Sequence, residues 1–188
     1  MFIQTEATPN PATLKFLPGR PVLGEGTMEF RDPVESKGSP LASRLFEIDG
    51  VTGVFFGSDF ISVTKGEGEW QHLKPAVLGA IMEHYLSGEA VAEGAPAGTK
   101  AAEADEDFAP EDEETVKTIK ELLETRVRPA VAQDGGDITF QGYRDGVVFL
   151  HMRGACSGCP SSIVTLRNGI ENLLRYYVPE VVEVRAVD

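Results

Sequence analysis

Apolar and polar positions alternate or recur with changing period along this chain, and the changes mark out its elements. Met1 to Thr8 and Thr13 to Leu17 alternate as short strands do, with Pro9-Asn10-Pro11 between them as a turn. Ser39-Pro40 pairs a capping hydroxyl with a residue suited to the first helical position, and the helix it opens runs through Leu41, Leu45 and Phe46 to Asp49-Gly50. Val51 to Phe56 and Phe60 to Thr64 predict a hairpin across Gly57-Ser58-Asp59. A helix from about Trp70 to Leu86 should bury Leu73, Val77, Ile81 and Tyr85, and Ser87-Gly88 ends it. His72 and His84 both fall on this helix, too far apart to share a ligand, and read as ordinary surface or edge residues.

A second set of elements begins at Pro110. Pro110 and the carboxylates Glu111 to Glu114 suit a helix N-terminus, and Val116, Ile119, Leu123 and Val127 mark its buried face. Pro129 should kink this helix rather than end it, because Ala130-Val131-Ala132 continue apolar up to Asp134-Gly135-Gly136. Ile138 and Phe140 alternate with Thr139 and Gln141 as a half-buried strand. Arg144-Asp145-Gly146 turns the chain, and Val147 to Met152 returns as a second strand. A cysteine-containing loop leads into a helix striped by Ile163, Leu166, Ile170, Leu173 and Tyr177. Val178-Pro179 stops it, and Val181 to Val187 forms a last strand. The order α-β-β-α-β predicts a three-stranded sheet covered by two helices.

Composition separates the two sets. Gly88 to Ala109 is rich in Ala, Gly and Glu with almost nothing large and apolar, so it cannot bury enough surface to offset its ordering entropy. Gly94, Pro96 and Gly98 argue against a solvated helix there, and a coil of roughly 22 residues would span about 25 Å. The expected organisation is therefore α+β, with small domains over 1–87 and 110–188 joined by a flexible acidic linker over 88–109. At 188 residues, two small domains are within reach. The net charge of −13 is largely local, since Gly88 to Glu114 carries ten Asp/Glu against one Lys and supplies −9 of it. No surplus of Lys and Arg exists to neutralise phosphates, which speaks against nucleic acid and anionic membranes as partners. No window approaches the ~20 apolar residues needed to span a bilayer. The opening Met1-Phe2-Ile3-Gln4-Thr5-Glu6 lacks the features of a signal or transit peptide. A bacterial-type cytosol is the simplest location, with a processed mitochondrial matrix form as the alternative.

The chemistry concentrates in two cysteines, Cys156 and Cys159. A pair so closely spaced cannot staple a long loop, and without a secretion signal the spacing reads as redox or metal chemistry. The loop Met152-Arg153-Gly154-Ala155-Cys156-Ser157-Gly158-Cys159-Pro160-Ser161-Ser162 leaves a strand and enters a helix. Its sulfurs should therefore lie near free N–H groups and the positive end of the helix dipole, which favours thiolate. Common iron–sulfur clusters want four thiolates and structural zinc wants four ligands, yet the chain supplies two. His151, five residues ahead on a strand, is not read as a ligand. The economical solution is a two-fold dimer in which each copy gives two thiolates to one shared centre.

Asp134-Gly135-Gly136-Asp137, followed by Gly154-Ala155-Cys156-Ser157-Gly158-Cys159-Pro160-Ser161-Ser162, resembles the C-terminal cluster-binding domain of the Nfu/NifU family. The run Ile3-Gln4-Thr5-Glu6, Thr8-Pro9-Asn10-Pro11, Thr13-Leu14-Lys15-Phe16-Leu17-Pro18-Gly19 is similar to that family's N-terminal domain. The resemblance implies a non-enzymatic carrier or scaffold that binds one [4Fe–4S] cluster per homodimer through Cys156 and Cys159, with [2Fe–2S] as the alternative. It implies upstream cluster donors and apo-protein recipients as partners, and a recipient-contacting role for the N-terminal domain. Nothing resembles the larger three-cysteine scaffold domain of some NifU proteins. Two rivals stand beside this reading, a CxxC dithiol-disulfide oxidoreductase and a zinc site shared by a dimer. The first is weakened by the absence of a βαβ pattern before the motif, whereas the second fits four thiolates equally well. No nucleotide loop, Ser/His/Asp set or paired carboxylate suggests catalysis.

Overall fold

In the computed structural model, which describes residues 1–93, 107–155 and 160–187, the α+β class is realised twice. The two units, Met1–Lys100 and Ala101–Asp188, have separate apolar cores.

The first unit contains strands β1 (Gln4–Ala7), β2 (Thr13–Leu17) and β3 (Met28–Phe30), helix α1 (Pro40–Phe46), strands β4 (Val51–Phe56) and β5 (Ile61–Lys65), and helix α2 (Trp70–Ser87). Its sheet runs β1-β2-β5-β4-β3 and is antiparallel throughout. The first turn forms because Asn10 Oδ1 accepts from the Ala12 N–H (3.0 Å) while the Asn10 carbonyl accepts from the Thr13 N–H (3.0 Å). Ser39 caps α1, its Oγ accepting from the Ala42 N–H at 3.1 Å. The register sets Phe16 and Phe56 on either side of Ile61, with Leu14 and Val54 flanking Val63 in the next row. Leu41 and Leu45 of α1 and Val77 and Ile81 of α2 share the same core. Strand β3 was not foreseen, because three residues are too few for alternation to register. Its pairing with β4 and the edge-on contact of Phe30 with Phe56 at 5.5 Å hold it in place.

Helix α2 corrects the sequence expectation for His84. The buried stripe is Leu73, Val77, Ile81 and His84, so the imidazole is fully enclosed rather than at the surface. The spacing of four, four and three keeps one helix face toward the sheet, and position 84 falls on it. Tyr85, expected in that stripe, is only partly buried and donates its hydroxyl to the Pro21 carbonyl at 3.4 Å.

The second unit contains strand β6 (Asp107–Phe108), a short helical turn at Pro110–Asp112, and α3 (Glu113–Leu122). A π-helical turn (Leu123–Val127), α4 (Arg128–Gln133), β7 (Gly136–Arg144), β8 (Val147–Gly154), α5 (Pro160–Tyr177) and β9 (Glu183–Val187) come next. As expected, Pro129 does not end the helix. The widened turn just before it accommodates the ring and the missing N–H. The sheet expected to have three strands has four, in the order β6-β7-β8-β9. The added strand is held by Phe108, whose ring meets Phe140 edge-on at 6.5 Å, and by an ion pair between Asp107 and Arg144. Strands β7 and β8 form a hairpin whose turn residues Asp145 (φ 51°) and Gly146 (φ 80°) suit a type I′ geometry. Strands β8 and β9 are parallel, so α5 must cross over between them.

Ile138, Leu150, Met152 and Val184 face Val116 and Ile119 of α3 and Ile170 and Leu174 of α5. The stripe on α5 is rotated from the expected one. Leu174 is fully buried, Leu173 packs only partly, and Tyr177 lies at the edge with the Arg126 guanidinium 5.3 Å from its ring. Both described ends of the 88–109 stretch are structured. The Glu93 N–H donates to the Gly38 carbonyl (2.8 Å), Ala92 is buried, and Asp107–Phe108 joins the second sheet. Positions 94–106 lie outside the described residues.

Candidate metal centre

Cys156 and Cys159 also lie outside the described residues, but both ends of the loop that carries them are in place. The loop leaves the carboxyl end of β8 at Gly154 and Ala155 and returns as α5 at Pro160. Carboxyl ends of parallel strands that feed crossover helices are a common place for ligand sites in α/β sheets. An 18-residue helix begins directly after Cys159, so the unsatisfied N–H groups of its first turn and its positive dipole end are adjacent in the chain to both thiols. The thiolate is the form of cysteine that binds soft metals.

The base of the loop is tied to the segment Asp134-Gly135-Gly136-Asp137. Gly135 and Gly154 both adopt positive φ, 79° and 65°, which an L side chain rarely takes. Gly136 pairs with Gly154 as the last rung of the β7–β8 ladder. One residue further, the Ala155 N–H donates to the Gly135 carbonyl at 3.2 Å. Asp137, only 4% exposed, accepts from Arg128 through both oxygens, from Nε at 2.9 Å and from the terminal nitrogen at 3.0 Å. Glu124, one turn earlier, pairs with the same guanidinium. Hydrogen bonding to Asp137 is the main cause that holds Arg128 above its ordinary pKa, against its partial burial. Sequence reading missed this pair. Its trace was a single Arg at the end of an apolar helix face and an Asp opening a strand, which periodicity alone does not connect.

His151 sits on β8 with its Nδ1 accepting from Arg153 Nε at 3.3 Å, so that nitrogen already has a partner. Among the described residues, no three His, Cys, Asp or Glu side chains converge as a metal site. His72 and His84 lie in the first unit and are not brought toward any ligand set.

A family model described as "Scaffold protein Nfu/NifU N terminal" matches residues 3–88, and one described as "NifU-like domain" matches residues 119–185. The chain belongs to the Nfu/NifU family, with one of its domains in each unit. It is similar to "NFU1 iron-sulfur cluster scaffold homolog, mitochondrial" of Drosophila sechellia, at 53% identity over 189 residues, covering 100% of this chain and 65% of the relative. It is likewise similar to the protein of that name from Homo sapiens, at 51% identity, covering 100% of this chain and 72% of the relative. The chain thus spans about 65% of the length of the Drosophila sechellia relative. Among solved structures, a NifU-like protein of Saccharomyces cerevisiae is similar at 26% identity and a TM-score of 0.46, over 50% of this chain and 86% of that one. Protein SAV1430 of Staphylococcus aureus is similar at 25% identity and a TM-score of 0.39, over 43% of this chain and 99% of that one.

Proposed function

We propose that this chain is an iron–sulfur cluster carrier that holds one [4Fe–4S] cluster, or alternatively [2Fe–2S], between two copies of itself. Cys156 and Cys159 of each copy are the ligands, and the cargo passes from upstream donors to apo-proteins. The observation that carries this reading is the ligand count. The chain has two cysteines in all, at one strand-to-helix junction, while such clusters are held by four thiolates. Membership in a family whose relatives are named cluster scaffolds supports it. A homodimer completes the set with a symmetric surface site. Ligands that come from two separable chains can be exchanged for a recipient's thiolates one at a time, so the cargo leaves without chemical change. No catalytic step is assigned to the chain. The first unit contacts recipients. The cytosol is the proposed location, with a processed matrix form as the alternative that the mitochondrial relatives' names favour.

Anaerobic reconstitution followed by iron analysis, Mössbauer spectroscopy and native mass measurement tests the proposal. About four irons per pair of chains in a dimer are expected. A loaded monomer with fully ligated iron, or one zinc per pair and no visible absorption, overturns it. Insulin reduction by the colourless monomer would favour the oxidoreductase instead. Removing residues 1–87 should leave cluster loading intact and slow delivery to some recipients, as read by recipient activation rates.

A further inference from the structure

The Arg128–Asp137 pair is built in a way that core packing does not require. Desolvating two charges is costly, and apolar side chains of similar volume could fill the space with no loss of stability. What the pair adds is direction. A guanidinium fork meeting both oxygens of a carboxylate fixes distance and orientation together. Its partners lie on different elements, Arg128 at the start of α4 and Asp137 at the second residue of β7. Between them the chain passes through Asp134 and the left-handed Gly135, and the latter's carbonyl receives the Ala155 N–H. The residue that faces Gly136 across the ladder is Gly154, also left-handed. Two glycines are thus opposed at the root of the cysteine loop, and neither has a side chain to fix its backbone.

We infer that Arg128 and Asp137 are positioning residues for the cysteine loop. By locking the start of β7 onto α4, they hold the Gly135 carbonyl where it captures the Ala155 N–H, one residue before Cys156. Glu124 keeps the guanidinium aimed from the other side. The function of this clamp rests on the carrier reading above, whereas its mechanical part does not. Its effect on the cargo is transmitted through the backbone bond from Ala155 to Gly135.

The test uses the full chain and three variants. Arg128→Lys keeps the charge and loses the fork, and Asp137→Asn keeps the shape and loses the charge. Val116→Ala destabilises the same unit through its core without touching the pair. Amide exchange at Ala155 and the rate of cysteine alkylation are measured on cluster-free protein, and the cluster half-life is measured on loaded protein. Arg128→Lys and Asp137→Asn should each speed Ala155 exchange about tenfold, the equivalent of one charge-assisted hydrogen bond. Each should also alter the alkylation rate and shorten the cluster half-life several-fold. Val116→Ala should leave all three within about twofold once exchange is compared below the global unfolding limit. If either pair variant behaves like Val116→Ala in Ala155 exchange, or speeds that exchange while the cluster half-life stays unchanged, the positioning role is overturned. Should the unmodified chain take up no cluster at all, the carrier proposal fails, and Ala155 exchange with cysteine alkylation still decides the clamp.

Discussion

The two units contain the same local device with different chemistry in it. In the first, β5 ends at Lys65, passes through Gly66-Glu67-Gly68-Glu69, and feeds an 18-residue helix. In the second, β8 ends at Gly154, passes through Ala155 and the two cysteines, and feeds another 18-residue helix. Both junctions use a left-handed glycine, Gly68 at φ 91° and Gly154 at φ 65°. The first presents exposed carboxylates to the helix N-terminus, where they suit the dipole and need no partner. The second has two cysteines in the sequence at the matching place, directly before its helix. The units also differ beyond the helix. Among the described residues of its unit, α2 leads to no further strand, whereas α5 returns to the sheet as β9 beside β8. A strand-to-helix junction is thus a common scaffold, and residue chemistry and support at its root decide whether it becomes a site.

The largest effect expected from this contrast is all-or-none. Cys156→Ser or Cys159→Ser should abolish stable cluster binding and cluster-dependent dimerisation, read by iron content and native mass. Glu67→Gln with Glu69→Gln at the matching junction should change neither. Next come the cores. Leu174→Ala, at a fully buried position, should cost the second unit about 2–5 kcal/mol in urea unfolding, and Ile81→Ala should cost the first unit a similar amount. Leu174→Ala, on the helix that directly follows Cys159, is expected to shorten cluster retention and Ile81→Ala is not, and equal shortening by both would dissolve the division of labour between the units. Smaller again are the paired glycine changes. Gly68→Ala and Gly154→Ala each force an L side chain into left-handed backbone, at about 1–2 kcal/mol. The cost should be similar at both, with cluster lifetime altered by Gly154→Ala alone.

The smallest effect concerns pH and belongs to the first unit. His84 is enclosed, and neither ring nitrogen finds a hydrogen-bond partner among the described residues. Burial pushes its pKa below the ordinary value, Arg44 pushes the same way, and Glu89 opposes them. The folded chain therefore resists a proton that the unfolded chain accepts below pH ~6.5. Stability of this unit should be level above pH ~7 and fall as pH drops through about 6, no more steeply than the ~1.4 kcal/mol per pH unit that one proton allows. His84→Leu should remove that slope, as measured by denaturant midpoints between about pH 5 and 8. A slope that survives the substitution assigns the effect to other groups.

The alternation and helical stripes of the sequence were sufficient for the strand pairs β1–β2, β4–β5 and β7–β8, for α1 and α2, and for the helix that continues past Pro129. They worked because each element buries a face with its own period, and because Ser39, Asn10 and Asp145-Gly146 carry the local hydrogen bonding or backbone freedom their turns need. Strands β3 and β6 were illegible, since three and two residues carry no period and exist only because a longer neighbour offers its edge. The burial of His84 and of Leu174 in place of Tyr85 and Leu173 escaped for a related reason. A helix stripe read from sequence leaves its rotation open by about one residue, and the sheet it packs against decides.

The candidate site divides in the same way. Two cysteines, their spacing and their place before a helix are properties of the sequence, because ligand identity and ligand count are chemical facts about residues. The bond from Ala155 to Gly135, the pairing of Gly136 with left-handed Gly154 and the Arg128–Asp137 fork join residues from nine to about twenty positions apart. Only the tertiary structure could decide them, because they exist once β7 and β8 have paired and α4 has packed at their end.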